Sequence, residues 1–146
     1  MALNPNQFIQ TPSPGYLDLQ TGLNNVISGI MNTGLTAVPV ATAVKIVDNF
    51  NPIPAVTPFT ANTDALWGFI AVNIKDASYS AGDRVEIARS GTVMQMTAGG
   101  AIARGAKVEY AFASNKVITS AGTNTVVGVA FDKAGADGDI IRVIIA

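Results

Sequence analysis

Apolar and polar positions alternate with period two along much of the chain, and the clearest alternation follows a glycine. Three stretches share this form: Gly82-Asp83-Arg84-Val85-Glu86-Ile87, Gly105-Ala106-Lys107-Val108-Glu109-Tyr110 and Gly138-Asp139-Ile140-Ile141-Arg142-Val143. In the first two, one parity is apolar (Val85 and Ile87; Ala106, Val108, Tyr110 and Phe112) and the other is charged (Arg84 and Glu86; Lys107 and Glu109). This is the pattern of a half-buried strand, so the module is β rather than helical. From Leu66 to Lys75 both parities are apolar, with Leu66, Ile70, Val72 and Ile74 on one side and Trp67, Phe69 and Ala71 on the other. Both faces of that strand need cover. Trp67 and Phe69 therefore belong either to a second core layer or to an exposed aromatic contact. Further strands are predicted over 84–89, 92–97, 107–112, 116–119, 126–132 and 140–145, with Ser90-Gly91 as a hairpin turn. Seven or eight short strands describe an all-β fold, a small antiparallel barrel or sandwich, and the spacing leaves those two open.

The N-terminal third reads differently. All seven prolines lie at or before Pro58, and that span carries only Asp18, Lys45 and Asp48 as charges. Proline lacks a backbone donor and fixes φ, which suits it poorly to a sheet interior. The expected division is a Pro-rich arm with an edge strand over residues 1–58, followed by a β domain over 59–146. Within the arm, Leu23, Val26, Ile27, Ile30 and Met31 form one stripe of a short helix, which Thr21 would cap and Gly34 would stop; the alternative is a loop lying on the domain. Val38, Val40, Thr42, Val44 and Ile46 alternate as a strand, held to a sheet edge at its start by Pro39. The run Asn51 to Pro58 reads as a stiff extended connector.

Composition narrows the function classes. Charged residues make up 13% of the 146 and the net charge is −1, with no Lys or Arg cluster to meet a phosphate backbone or an anionic lipid. No apolar run reaches the ~20 residues that span a bilayer. The first residues lack the basic and apolar regions of a signal peptide, so synthesis in the cytoplasm is expected. With no Cys and no His, nucleophile–base pairs built on them are excluded, as are the common zinc sites. Gly100 to Gly105 has phosphate-loop glycine spacing, but Ala106 stands where lysine is required. Asp132, Asp137 and Asp139 lack calcium-loop spacing and read as turn residues; Ser114 and Lys116 read as a solvated strand edge. No enzyme, cofactor or metal is expected.

Trp67-Gly68-Phe69-Ile70-Ala71-Val72-Asn73-Ile74-Lys75, Tyr79 to Ala88, Ala101-Ile102-Ala103-Arg104-Gly105-Ala106-Lys107-Val108, Val127 to Asp132 and Ala136 to Val143 carry, in that order and spacing, a resemblance. Together they resemble the small capsid decoration, or cement, proteins of tailed bacteriophages, over about Leu66 to Ala146. The resemblance implies a non-enzymatic virion protein on the outside of the assembled head, made in the host cytoplasm. It would seal joints between major capsid protein subunits and associate with itself as a dimer or trimer. The arm lies outside that resemblance, and its scattered apolar side chains are the expected capsid anchors: Phe8, Ile9, Tyr16, Leu17, Leu23 and Ile27, with Trp67 added from the β domain. On this reading, removing the residues before about Gly34 leaves a folded β domain that no longer holds to capsids. Two alternatives stay open. One is another phage structural module, a tail-tube or head-fibre subunit; the other is a receptor- or carbohydrate-binding domain with Trp67 beside Asp64.

Overall fold

A computed structural model describes residues 14–17, 25–47, 53–72 and 78–146. These contain twelve strands and no helix: β1 (Val26–Met31), β2 (Val38–Pro39), β3 (Ala43–Val47), β4 (Ala55–Pro58), β5 (Gly68–Ala71), β6 (Ser78–Tyr79), β7 (Arg84–Ala88), β8 (Val93–Thr97), β9 (Lys107–Ala111), β10 (Lys116–Thr119), β11 (Val126–Ala130) and β12 (Ile140–Ile145). Strands β1-β4-β3-β5-β7 close into a five-stranded barrel, β10-β9-β11-β12-β8 form a second five-stranded sheet, and β2 pairs with β6. The all-β expectation holds. In place of a single barrel or sandwich of seven or eight strands there is a closed barrel plus further sheets.

Four sequence expectations are corrected. The helical stripe ending at Met31 is, over Val26–Met31, strand β1, paired antiparallel with β7 from Val26↔Ala88 to Ile30↔Arg84. Its inward positions are Ile27, Gly29 and Met31. A glycine in the middle of that row hid the period of two, because a Cβ at Gly29 would collide with the Ile87 side chain. The remainder of the expected helix, including Leu23 and its Thr21 cap, lies outside the described residues. The connector also pairs: β4 runs parallel to β1 and antiparallel to β3, so the Pro-rich span supplies three of the five barrel strands. Ser90-Gly91 does turn, with Gly91 at φ 87°, but β7 and β8 on its two sides belong to different sheets. The strand expected over 38–46 breaks at Ala41, whose φ is 61°.

The two five-stranded units are one pattern used twice. In strand order along the chain, β1, β3, β4, β5 and β7 correspond to β8, β9, β10, β11 and β12, and the pairings repeat residue for residue. Val26↔Ala88 is matched by Val93↔Ile144, Val44↔Pro58 by Val108↔Thr119, and Phe69↔Ala88 by Val129↔Ile144. Even the parallel pair returns, with Met31↔Val56 answered by a bridge from Ala98 to Val117 that brings the second sheet almost to closure. Turn hydrogen bonds follow suit: Gly82 N–H donates to Met31 O and Gly138 N–H to Ala98 O. The Asp83 carboxylate accepts from Ser80 N–H, as Asp139 does from Ala136 N–H. Two of the three glycine-led stretches, at Gly82 and Gly138, thus hold the same place in the two units. Gly105, at φ 81°, matches Ala41, which takes the left-handed conformation without being glycine.

Two apolar clusters fill the molecule. One is the barrel interior, built from Met31, Val44, Val56, Ile70, Val85 and Ile87, with Val38 and Tyr79 packed alongside. The other joins the inward faces of the second sheet, such as Met94, Val108, Val117, Ala130 and Val143, to the outer wall of the barrel at Ala43, Phe59, Phe69, Ala71 and Ala88. Strand β5 is therefore buried on both faces, as its two apolar parities required. The parity slips just before it. Leu66 packs with the Phe69 cluster, while Trp67 packs with Ile70 in the barrel.

Three outcomes are expected. A Cβ at Gly68 would lie 2.5 Å from Ala88 O, and one at Gly128 would strike Ile144 O. Gly68→Ala and Gly128→Ala should each lower unfolding free energy by about 1–3 kcal/mol through overpacking in denaturant titrations. Gly100→Ala, where the added carbon meets nothing, should stay within about 0.5 kcal/mol of wild type in the same assay. Deletion of residues 1–33 removes β1, which closes the barrel, so the truncated chain should lose its cooperative thermal transition; a preserved transition would show that barrel closure is dispensable.

Candidate functional site

The described part of the N-terminal span is stitched into the fold. Gly15 N–H donates to Gln95 O at 2.8 Å, Gln95 N–H to Tyr16 O at 2.8 Å and Val72 N–H to Gly15 O at 3.0 Å, and Leu17 bridges to Met94. Residues 14–17 thus lie along the free edge of β8 and tie it to the end of β5, which removes an exposed edge from the second sheet. Of the anchors expected from sequence, Leu17 packs on the cluster shared by the two units and Ile27 on the barrel interior. Tyr16 is 37% exposed. Phe8, Ile9 and Leu23 lie outside the described residues.

Trp67 sits at one end of the barrel. That end is formed by Ile27 of β1, Ile46 near the end of β3, Trp67 just before β5 and Arg89 just after β7. The Arg89 guanidinium carbon stands 3.7 Å from the Trp67 ring centroid, a cation–π contact. The indole Nε1 is buried and has no hydrogen-bond partner among the described residues. Beside them Ile46 is 50% exposed, the most exposed of the large apolar side chains described. This end is an apolar mouth with an aromatic floor.

Sequence reading did not single out a second apolar surface, on the outer face of the C-terminal sheet. Val126 and Val129 are 38% and 37% exposed there. Phe131 has two guanidinium groups against its ring, Arg142 at 4.3 Å and Arg104 at 5.8 Å from its centroid. Arg142 is held by Asp132 through its Nε at 2.9 Å and its Nη2 at 2.8 Å; this pair holds the Asp132 carboxyl below its ordinary range, against burial, which would raise it. The signal available in sequence was the parity of β11, but a bulge between Val126 and Gly128 shifts its register and puts Val126 and Val129, three apart, on one face.

Most of the described carboxylates are engaged as structural groups. Asp139 accepts from Gly135 and Ala136 N–H, Asp137 pairs with Lys116 at 2.7 Å, and no cluster arranged to hold a metal ion occurs among the described residues. Glu109 is fully buried under the loop of residues 120–124. Burial would raise its carboxyl, but hydrogen bonds from the Ser120 hydroxyl and from the Gly122, Asn124 and Ala121 amides outweigh that and hold it below its ordinary range. In the other unit the same strand position is Lys45, whose ammonium meets Asp64 at 2.9 Å. Asp64 also accepts from Thr60 and Ala61 N–H. It is therefore engaged within its own loop rather than offered beside Trp67. The Thr60 amide first, then Lys45, lower its carboxyl from 3.8 to about 2. Because the folded value lies below the unfolded one, this stabilisation is complete above the ordinary value and is lost as pH falls towards 2. Asp64→Asn should melt earlier than wild type at neutral pH, with the gap closing between pH 4 and pH 2 in a series of thermal melts; a gap independent of pH would contradict this.

Among the described residues the geometry is that of a binding surface: two apolar areas, a cleft between Pro39, Thr97 and Lys116 whose Ser114 hydroxyl and Lys116 ammonium are engaged by Ala111 O and Asp137, and every described strand paired on at least one side. Comparison with curated proteins finds no match. Among solved structures, the base of the head fiber protein gp8.5 of bacteriophage phi29 is similar, with a TM-score of 0.56 and 16% identity over 84% of this chain and 93% of that one. That likeness is one of fold. The family described as phage cement protein matches residues 31–145, which takes in the barrel from the end of β1 as well as the second sheet and so extends well N-terminal of the stretch that carried the resemblance in sequence. The chain belongs to the phage cement protein family, a family of structural phage proteins.

Proposed function

We propose that the protein binds the outer surface of the phage head and stabilises it by cementing major capsid protein subunits to one another. The observation that carries this reading is the family match over residues 31–145, set on a body whose exposed features are apolar patches rather than a reactive site. Cementing needs area and shape, not chemistry. A contact made by valine, isoleucine and aromatic side chains, in a chain with 13% charged residues, holds in high salt better than one made by ion pairs. The anchoring role extends to the chain before Pro14, which carries Phe8 and Ile9.

A second reading is favoured by the fold likeness to the phi29 head fiber base: the chain as the seat of a head fibre. Both place the protein on heads, and they differ in whether the head is strengthened or merely decorated. Cosedimentation with heads that lack the protein, followed by heating of the complex, separates them. Saturable binding with a raised disruption temperature is expected. Binding without any change in head survival would favour the fibre seat, and no binding would overturn both. Deletion of residues 1–13 should leave the melting temperature of the free protein within a few degrees of wild type while weakening its binding to heads by tenfold or more, about 1.4 kcal/mol; equal binding would remove the arm from the contact.

A further inference from the structure

The two units of the chain meet in a way that leaves each with an unused half of the same contact. The mouth of the C-terminal sheet, where Tyr110 and Val127 stand, is closed by the outer wall of the barrel, with Leu66 and Phe69 packed into the shared cluster. This is an end-on-side contact, and its two surfaces differ. By the residue equivalence of the repeat, the barrel has its own copy of the mouth and the C-terminal sheet its own copy of the wall.

Those copies are the exposed patches. Ile46 holds the place of Tyr110; the first is 50% exposed and the second 2%. Trp67, with its unpartnered Nε1, holds the place of Val127, which is fully buried. On the other surface, Val126 and Val129 hold the places of Leu66 and Phe69. Phe69 is fully buried, while Val129 is 37% exposed. Three of the five large apolar side chains exposed in the described residues are thus equivalents of groups that the contact between the two units covers. Lys107, in the place of Ala43, is an exposed side chain long enough to swing its charge aside.

We infer that the chain associates with a second copy of itself head to tail, the Ile46–Trp67 mouth of one molecule seating on the Val126–Val129 wall of the next. The occupant is set by the contact within the chain: the surface that fits this mouth is a wall of the same repeat, and the second copy carries a free one. Such a contact is heterologous, so the molecules add in one direction and close into a ring when the rotation allows. It does not rest on the capsid reading, because it concerns the protein alone.

The test is sedimentation of the full chain. Wild type is expected as an oligomer. Ile46→Asp and Val129→Asp, at surface positions that leave each fold intact by circular dichroism, should each weaken association by ~100-fold or more. An equimolar mixture of the two variants retains one intact mouth and one intact wall, and should form a dimer that neither variant forms alone. A monomeric wild type, a variant that still assembles, or a mixture that stays monomeric would each overturn the proposal.

Discussion

Everything in this fold leans on one contact, the barrel wall packed into the mouth of the second sheet. Tyr110 stands at its centre, with the rings of Phe59 and Phe69 each 5.6 Å away and nearly perpendicular. Edge-to-face pairs of this kind add about 0.5–1.5 kcal/mol to the gain from burial. Burial also pushes the Tyr110 hydroxyl up to about 12, so the ring stays neutral through the physiological range. Without that wall, the row of Met94, Val108, Val117 and Val143 would end in water. The two units therefore share one apolar cluster, although the barrel also keeps an interior of its own.

Repetition did not require the two units to stay alike. At the strand position beneath the loop that follows β4 in one unit and β10 in the other, a lysine is held by an aspartate and a glutamate by a hydroxyl and amides. Both engage an ionisable group at that position, half-buried in Lys45 and fully buried in Glu109, with the charge reversed. The mouths diverged further. Tyr110 received a wall within the chain, while Trp67 received the Arg89 guanidinium, which covers the ring face without sealing the end.

Seven of the eight strands from β5 onward, all but the two-residue β6, were legible in sequence, most of them to within a residue or two, because their glycine turns and alternating valines and isoleucines follow the period of the pleat. The first unit was obscured by particular substitutions. Gly29 interrupts the inward row of β1, so Val26, Ile27, Ile30 and Met31 matched a helical stripe by coincidence. Prolines at 54 and 58 disguised β4, although Pro58 is the last residue of that strand and Pro54 precedes it. Ala41 in a left-handed turn concealed the partner of Gly105, and with it the repeat. Of the surface residues named from sequence, Trp67 stands at an open end while Leu17 and Ile27 face inward. Val126 and Val129 were passed over because a bulge, not an alternation, brings them together.

The wall-and-mouth arrangement also orders events in time. All five strands of the barrel precede Ser90 in the chain, so its interior can be completed while the C-terminal half is still on the ribosome, in keeping with the N-terminal-first folding of nascent chains. The later half has no such independence, since its cluster includes Phe59 and Phe69 from residues made before it. The first unit serves as the template against which the second condenses, and a chain released before its barrel has closed would present Tyr110 and its neighbours to whatever apolar surface lies nearest.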